Sequence, residues 1–127
     1  MRTYVTLTAS AVLLGIAGLA QAAKLLSPPL PTSINTSGAC YIRNTGTTGV
    51  TVQVALFSNN GLIVSFDNCN DGPLPGGDTC VVLVNDLPDD SYAACSATAG
   101  TVTKLRGTFE VREITPTLRV LVAEELK

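Results

Sequence analysis

The chain of 127 residues contains no histidine and no tryptophan. Histidine is the side chain that most often serves as a general base and as a transition-metal ligand, so its absence argues against both kinds of site. Charged residues make up only 14% of the sequence, and the formal net charge is -2. There is no overall basic charge of the kind that attracts nucleic acid. The composition favours neither a histidine-dependent enzyme nor a nucleic-acid-binding protein, and we expect no catalytic activity.

The length and the apolar content together predict one small folded domain. Domains typically contain about 100–150 residues. Hydrophobic residues make up 46% of the chain, which is too many for an intrinsically disordered protein of such low charge.

Residues 1–22 have the pattern of a secretory signal peptide. Arg2 is followed by an apolar stretch over residues 9–20, and Ala20-Gln21-Ala22 has the small-x-small form of a cleavage site. A membrane anchor is the alternative, but the stretch is shorter than the roughly 20 residues that span a bilayer. We therefore expect a mature chain of residues 23–127, secreted or periplasmic, with no membrane span.

Four cysteines lie in the predicted mature chain, at Cys40, Cys69, Cys80 and Cys95. An even number in an oxidising compartment indicates two disulfides, and four cysteines allow three pairings. Cys40 and Cys95 both fall on the inward phase of separate predicted strands, whereas Cys69 ends one strand and Cys80 begins the next. We therefore favour Cys40–Cys95 with Cys69–Cys80. The lack of a Cys-x-x-Cys spacing and of histidine argues against redox or zinc chemistry.

Alternation of apolar and polar residues predicts an all-β fold. Residues 23–37 contain three prolines and are expected to form an extended N-terminal arm that forms little sheet. From residue 38 to residue 127 we expect about seven strands, the clearest over residues 50–57. An Asn-Gly turn at residues 59–61 predicts a hairpin to a following strand that runs from residue 62 up to Cys69. Such spacing favours an antiparallel two-sheet sandwich, with a small barrel as the alternative.

The C-terminal residues are compatible with a helix in their local composition. Residues 122–127 read Val-Ala-Glu-Glu-Leu-Lys. A segment this short cannot hold an isolated helix, because helix nucleation is unfavourable.

Several motifs resemble those of small exported bacterial proteins with four cysteines. The run over residues 40–54 resembles their first strand, turn and Val/Thr strand, and residues 73–80 resemble their proline-glycine loop before Thr-Cys. Residues 92–95 and 105–109 resemble their last strands. The resemblance covers most of residues 38–112. It implies an exported β-sandwich and no known activity.

A more distant resemblance is to the immunoglobulin fold. Residues 89–95, Asp-Asp-Ser-Tyr-Ala-Ala-Cys, are similar to the turn and strand that carry the second cysteine of that fold. Tyr92 lies one position earlier than the tyrosine of that family, and the core tryptophan is absent. The resemblance therefore implies an immunoglobulin-like architecture, which does not determine a function.

The strongest candidate for a ligand-binding motif is the segment over residues 67–72. It has Asp67 and Asp71 at the first and fifth positions of a calcium loop and glycine at the sixth. Cys69 occupies the third position, and Asp78 occupies the twelfth, where glutamate is required. We therefore interpret the segment as a polar loop beside a disulfide, and we expect no metal ion and no cofactor.

Charge is unevenly distributed along the sequence. Six acidic residues lie in loops of the middle third: Asp67, Asp71, Asp78, Asp86, Asp89 and Asp90. Four basic residues lie on outward phases of the last strands: Lys104, Arg106, Arg112 and Arg119. Basic side chains often protect exposed strand edges against aggregation. The alternative is a basic stripe that binds an anionic component of the cell envelope.

Three classes of function are compatible with these observations. The first is an exported non-catalytic protein that binds a protein or an envelope component. The second is a structural or adhesin-like subunit that assembles by strand addition, for which the arm over residues 24–37 is the only support. The third is a small enzyme or enzyme inhibitor, for which Tyr92 or Arg106 would have to lie in a pocket.

Overall fold

A computed structural model describes residues 22–59, 61–62, 64–114 and 119–127. The predicted signal peptide lies outside these residues except for Ala22. The described part of the chain contains strands and no helix, and thus no helix that could cross a membrane. The strands are β1 (Ala23–Leu26), β2 (Leu30–Thr32), β3 (Thr36–Asn44), β4 (Val50–Ser58), β5 (Phe66–Asp67), β6 (Pro73–Leu74), β7 (Thr79–Val84), β8 (Ser91–Ala99), β9 (Leu105–Glu113) and β10 (Val120–Leu126).

The strands form two antiparallel sheets that pack face to face. The first sheet has the order β1-β8-β4-β6, and β2 also pairs with β8, next to β1. The second sheet has the order β10-β9-β3-β7-β5. The predicted two-sheet sandwich is confirmed. It has ten strands rather than about seven, because the proline-rich arm and the loop before β7 contribute short edge strands.

The inward phases of the strands form one continuous core. Ile42 and Phe109 come from neighbouring strands of the second sheet and are completely buried. Val52 and Val54 cover them from the first sheet. The Cys40–Cys95 disulfide joins β3 to β8 across the two sheets, with 6.1 Å between the Cα atoms. Burial of each large aliphatic side chain stabilises the fold by about 1.5–3 kcal/mol.

The arm over residues 23–37 is an integral part of the sandwich. Its two strands pair with successive halves of β8, and residues 36–37 begin β3. Ser27 bridges the gap between β1 and β2, since its N–H donates to the Cys95 carbonyl and its Oγ accepts from the Cys95 N–H, both at 2.9 Å. Proline is tolerated here because these strands form a sheet edge.

The segment after β4 differs from the prediction. Among its described residues, the expected strand from residue 62 up to Cys69 is reduced to β5, which pairs with β7 in the second sheet. β4 pairs instead with β8 and β6 in the first sheet. The predicted hairpin at residues 59–61 is therefore wrong, because the chain crosses from one sheet to the other at this point.

The C-terminal segment is also a strand. β10 pairs with β9 through to Leu126, so the pairing outweighs the local helical composition. Beyond it, the Leu26 N–H donates to the Lys127 carbonyl at 2.9 Å, and the Lys127 N–H donates to the Leu26 carbonyl at 3.1 Å. This backbone pair joins the two sheets along one edge of the sandwich.

Candidate functional site: the outer face of the second sheet

The outer face of the second sheet is built by alternate residues of β3 and β9. On β3, Tyr41 and Arg43 point away from the core because Cys40 and Ile42 point into it. The antiparallel register sets Arg43 opposite Arg106 and sets Tyr41 opposite Thr108. Side chains directly opposite each other on one face are close enough to interact.

Three basic side chains gather at one end of this face. Arg43 and Arg106 are direct cross-strand neighbours, Lys104 lies just before β9, and all three are exposed. The Arg106 Nη1 donates to the carbonyls of Thr103 at 3.2 Å and Leu105 at 2.7 Å. None of the three forms an ion pair with a described residue. We call Arg43, Lys104 and Arg106 the basic end; since like charges opposite each other are destabilising, it reduces the stability of the fold.

The basic end does not protect a strand edge. β9, which carries Arg106 and Arg112, lies between β10 and β3, and β3 carries Arg43. The edge-protection interpretation is therefore wrong for Arg106 and Arg112. The local sequence does not predict that Arg43 joins the other cations, because their proximity depends on a register between segments far apart in the chain. The available signal was the position of Arg43 next to inward-facing Ile42, which places Arg43 on the outer face.

Arg112, by contrast, is paired. Its Nε and Nη2 donate to Glu110 Oε2 at 2.9 and 2.6 Å, and its Nη2 also donates to the Tyr41 hydroxyl. The guanidinium carbon lies 5.3 Å from the centre of the Tyr41 ring. Partial burial lowers the pKa of Arg112, but the hydrogen bonds and charges of Glu110 and Tyr41 outweigh this effect and raise it. The predicted basic stripe is therefore divided into a free basic end and a neutralised pair.

Apolar side chains continue the face beyond the basic end. Val81 and Leu83 are half-buried next to β3, and Phe66 on the edge strand is 49% exposed. A depression of about 210 Å³ lies between Leu83 and Arg112, with buried Ala39 at its floor. The face thus combines free cations with aliphatic and aromatic contact area.

Asn44 fixes the loops beside the basic end. It is completely buried, and its Nδ2 donates to the carbonyls of Thr48 at 2.8 Å and Leu74 at 3.0 Å. Its Oδ1 accepts from the Gly46 N–H at 2.9 Å. The loop before β7 packs so closely here that a Cβ on Gly76 would lie 2.6 Å from the Thr47 backbone. The basic end is consequently carried on a rigid support.

The predicted polar loop at residues 67–72 is held by hydrogen bonds of Asp67 within the loop and of Asn68 and Asn70 to the neighbouring strands. Asp67 Oδ1 accepts from the N–H groups of Cys69 at 2.8 Å and Asn70 at 3.2 Å. The Cys69–Cys80 disulfide closes the loop, with 5.0 Å between the Cα atoms. Among the described residues, no three His, Cys, Asp or Glu side chains are grouped as a metal site.

The residues on which an enzymatic interpretation depended are open to solvent. Tyr92 is 56% exposed on β8, and Arg106 is exposed on β9. Neither is among the residues that line the depressions of about 450, 460 and 210 Å³.

All four cysteines form disulfides, Cys40 with Cys95 and Cys69 with Cys80. This is the pairing that the positions of the cysteines in the predicted strands favoured. Disulfides persist in oxidising compartments, so the pairing indicates a location outside the cytoplasm.

Comparisons of the chain with protein-family models, with curated proteins and with solved structures found no match in any of the three.

Proposed function

We propose that this protein is an exported, non-catalytic binding protein that attaches to an anionic envelope component through the basic end. The observation that carries the proposal is the placement of Arg43 opposite Arg106, beside Lys104, with no ion-pair partner for any of them among the described residues. The pattern of residues 1–22 supports export to the periplasm or the cell exterior.

The chemistry of the basic end suits phosphate groups. Guanidinium groups bind phosphate oxygens through pairs of parallel hydrogen bonds, and lysine adds a compact positive charge. The chain as a whole has a net charge of -2, so attraction to an anionic surface has to be local. At physiological ionic strength a charge acts over about 8 Å, which restricts the attraction to ligands that meet this end of the face. We therefore propose that the component is a membrane surface rich in phosphate headgroups.

Co-sedimentation with lipid vesicles tests this proposal. We expect the mature chain to bind vesicles that contain phosphatidylglycerol and not vesicles of phosphatidylcholine alone. Each basic residue near such a surface contributes about 1 kcal/mol. The Arg43→Gln/Arg106→Gln variant should therefore lower the partition coefficient on the order of 30-fold.

A matched control is the Lys24→Gln/Lys127→Gln variant. It removes the same number of positive charges from exposed positions away from the basic end. We expect it to bind almost as well as the unmodified chain. Equal losses in the two variants, or equal binding to both kinds of vesicle, would contradict the proposal.

Assembly by strand addition has less support. The arm that was its basis already pairs with β8 along the first sheet. Donating the arm to another subunit would first require breaking those backbone hydrogen bonds and exposing Leu30, which is buried.

A further inference from the structure

The outer face of the first sheet carries no charge along its two central strands. On β4 this face presents Thr51, Gln53, Ala55 and Phe57. On β8 it presents Tyr92, Ala94, Ser96 and Thr98. Solvent-facing sheet surfaces usually carry interspersed charged residues, which keep them soluble. This face instead offers hydroxyl, amide and aromatic groups.

A trough of about 460 Å³ runs along this face. Its volume lies in the range of roughly 300–1,000 Å³ that is usual for ligand pockets. Its polar lining is uncharged and comes from both strands and from the loop after β5: Thr51, Gln53, Asn70, Ser96 and Thr98.

The wall formed by Asn70 is held rigidly. The Asn70 side chain pairs with the backbone of Val54, with Nδ2 donating to its carbonyl at 3.1 Å and Oδ1 accepting from its N–H at 2.9 Å. The preceding residue, Cys69, is fixed by its disulfide to Cys80. A wall that is ordered before binding reduces the entropy that a ligand would otherwise lose in ordering it.

The surface just beyond one end of the trough suits a flat ring. Ala94 and Ser96 are buried even though they lie on the outer face, because taller side chains surround them. Phe57 is 45% exposed and lies opposite Ala94, with exposed Tyr92 diagonally next to it. The face of an aromatic ring is partially negative and attracts polarised C–H groups, such as those along one side of a pyranose ring.

We propose that this trough is a binding site for a neutral saccharide. None of the residues that line the trough is charged, and the exposed Lys24 on the edge strand β1, opposite Thr98, lies outside that lining. A charged ligand therefore finds no counter-charge in the lining itself. An apolar ligand would remove water from Thr51, Gln53 and Thr98 without replacing the lost hydrogen bonds, which reduces affinity. An uncharged, hydroxyl-rich ligand of several rings replaces those hydrogen bonds and also packs on Phe57 and Tyr92, which lie beyond one end of the lining. The site is on the sheet opposite the basic end and is independent of it.

NMR titration of the ¹⁵N-labelled mature chain tests the proposal with two neutral probes, chitotetraose and maltotetraose. We expect at least one of them to shift the amide signals of residues 51–55, 70–72 and 96–98. The Gln53→Leu and Phe57→Ala variants should each weaken the binding of that sugar about tenfold. Each variant should keep the dispersed spectrum of the folded chain, since both side chains are exposed.

Phe66→Ala is the matched control, because Phe66 is as exposed as Phe57 and lies on the other sheet. It should leave sugar binding unchanged. The proposal is overturned if neither sugar shifts the trough signals, or if Phe66→Ala weakens binding as much as Phe57→Ala does. A preference for an acidic oligosaccharide, or for an extended peptide in the same trough, would overturn it as well.

Discussion

Asn44 is the buried polar residue on which the loops beside the basic end depend. Its side-chain amide forms three hydrogen bonds with backbone groups of those loops, which would otherwise have no partner there. Buried polar groups of this kind stabilise a fold when every partner is satisfied, and they become costly when one partner is removed. The loops beside the basic end are therefore held in place by a neutral residue that lies beneath the surface.

Asn44→Ala should lower the free energy of unfolding by about 1–3 kcal/mol, because it leaves two carbonyls and one N–H without partners. Urea denaturation followed by circular dichroism measures the change. Asn59→Ala serves as the control, since Asn59 is exposed, and should change stability by no more than about 0.5 kcal/mol. Similar effects in the two variants would show that the Asn44 network is unimportant.

The face of the sheet on which a side chain lies was predictable wherever apolar and polar residues alternate regularly. The inward phases of Cys40 and Cys95 were sufficient to favour the observed disulfide. The cluster around Arg43 was not predictable, because it depends on which strands are neighbours. Alternation gives the face on which a side chain lies, but it does not give the partner strand.

The two disulfides close loops of very different length, and their contributions to the free energy of unfolding should differ accordingly. Cys40–Cys95 closes a sequence separation of 55, and Cys69–Cys80 closes one of 11. In the chain-entropy account these loops correspond to about 4 and about 3 kcal/mol. The Cys40→Ala/Cys95→Ala variant should therefore be less stable than Cys69→Ala/Cys80→Ala in urea denaturation. The reverse order would indicate that the loop over residues 70–79 contributes more than its length implies.

Strand β4 was predicted almost to its ends, whereas the two-residue strands β5 and β6 were not. Its regular alternation of valines with polar residues is a local signal. β5 and β6 contain two residues each, and they are strands only because a partner supplies hydrogen bonds. The last part of β10, residues 123–126, is a strand for the same reason, since β9 provides the ladder that the local composition of these residues does not indicate. Elements that depend on tertiary pairing leave little trace in local sequence.

At the scale of the whole molecule, the intact mass of the protein reports both the removal of residues 1–22 and the formation of the two disulfides. We expect protein recovered from the periplasm or the medium to begin at Ala23. Under non-reducing conditions it should be lighter than the reduced chain by four hydrogen atoms, two for each disulfide. Mass spectrometry before and after reduction measures both quantities. Retention of residues 1–22, or free thiols in the native protein, would contradict the proposed export.

The backbone pair between Leu26 and Lys127 has a practical consequence for experiments on immobilised protein. Because Lys127 lies at the seam between the two sheets, an affinity tag or a surface linker attached there leaves from the side of the sandwich. Both broad faces, the arginine-bearing one and the one with the trough, then stay accessible at the same time. A single tethered preparation can therefore be challenged with vesicles and with sugars in turn, without a change in orientation between the two measurements.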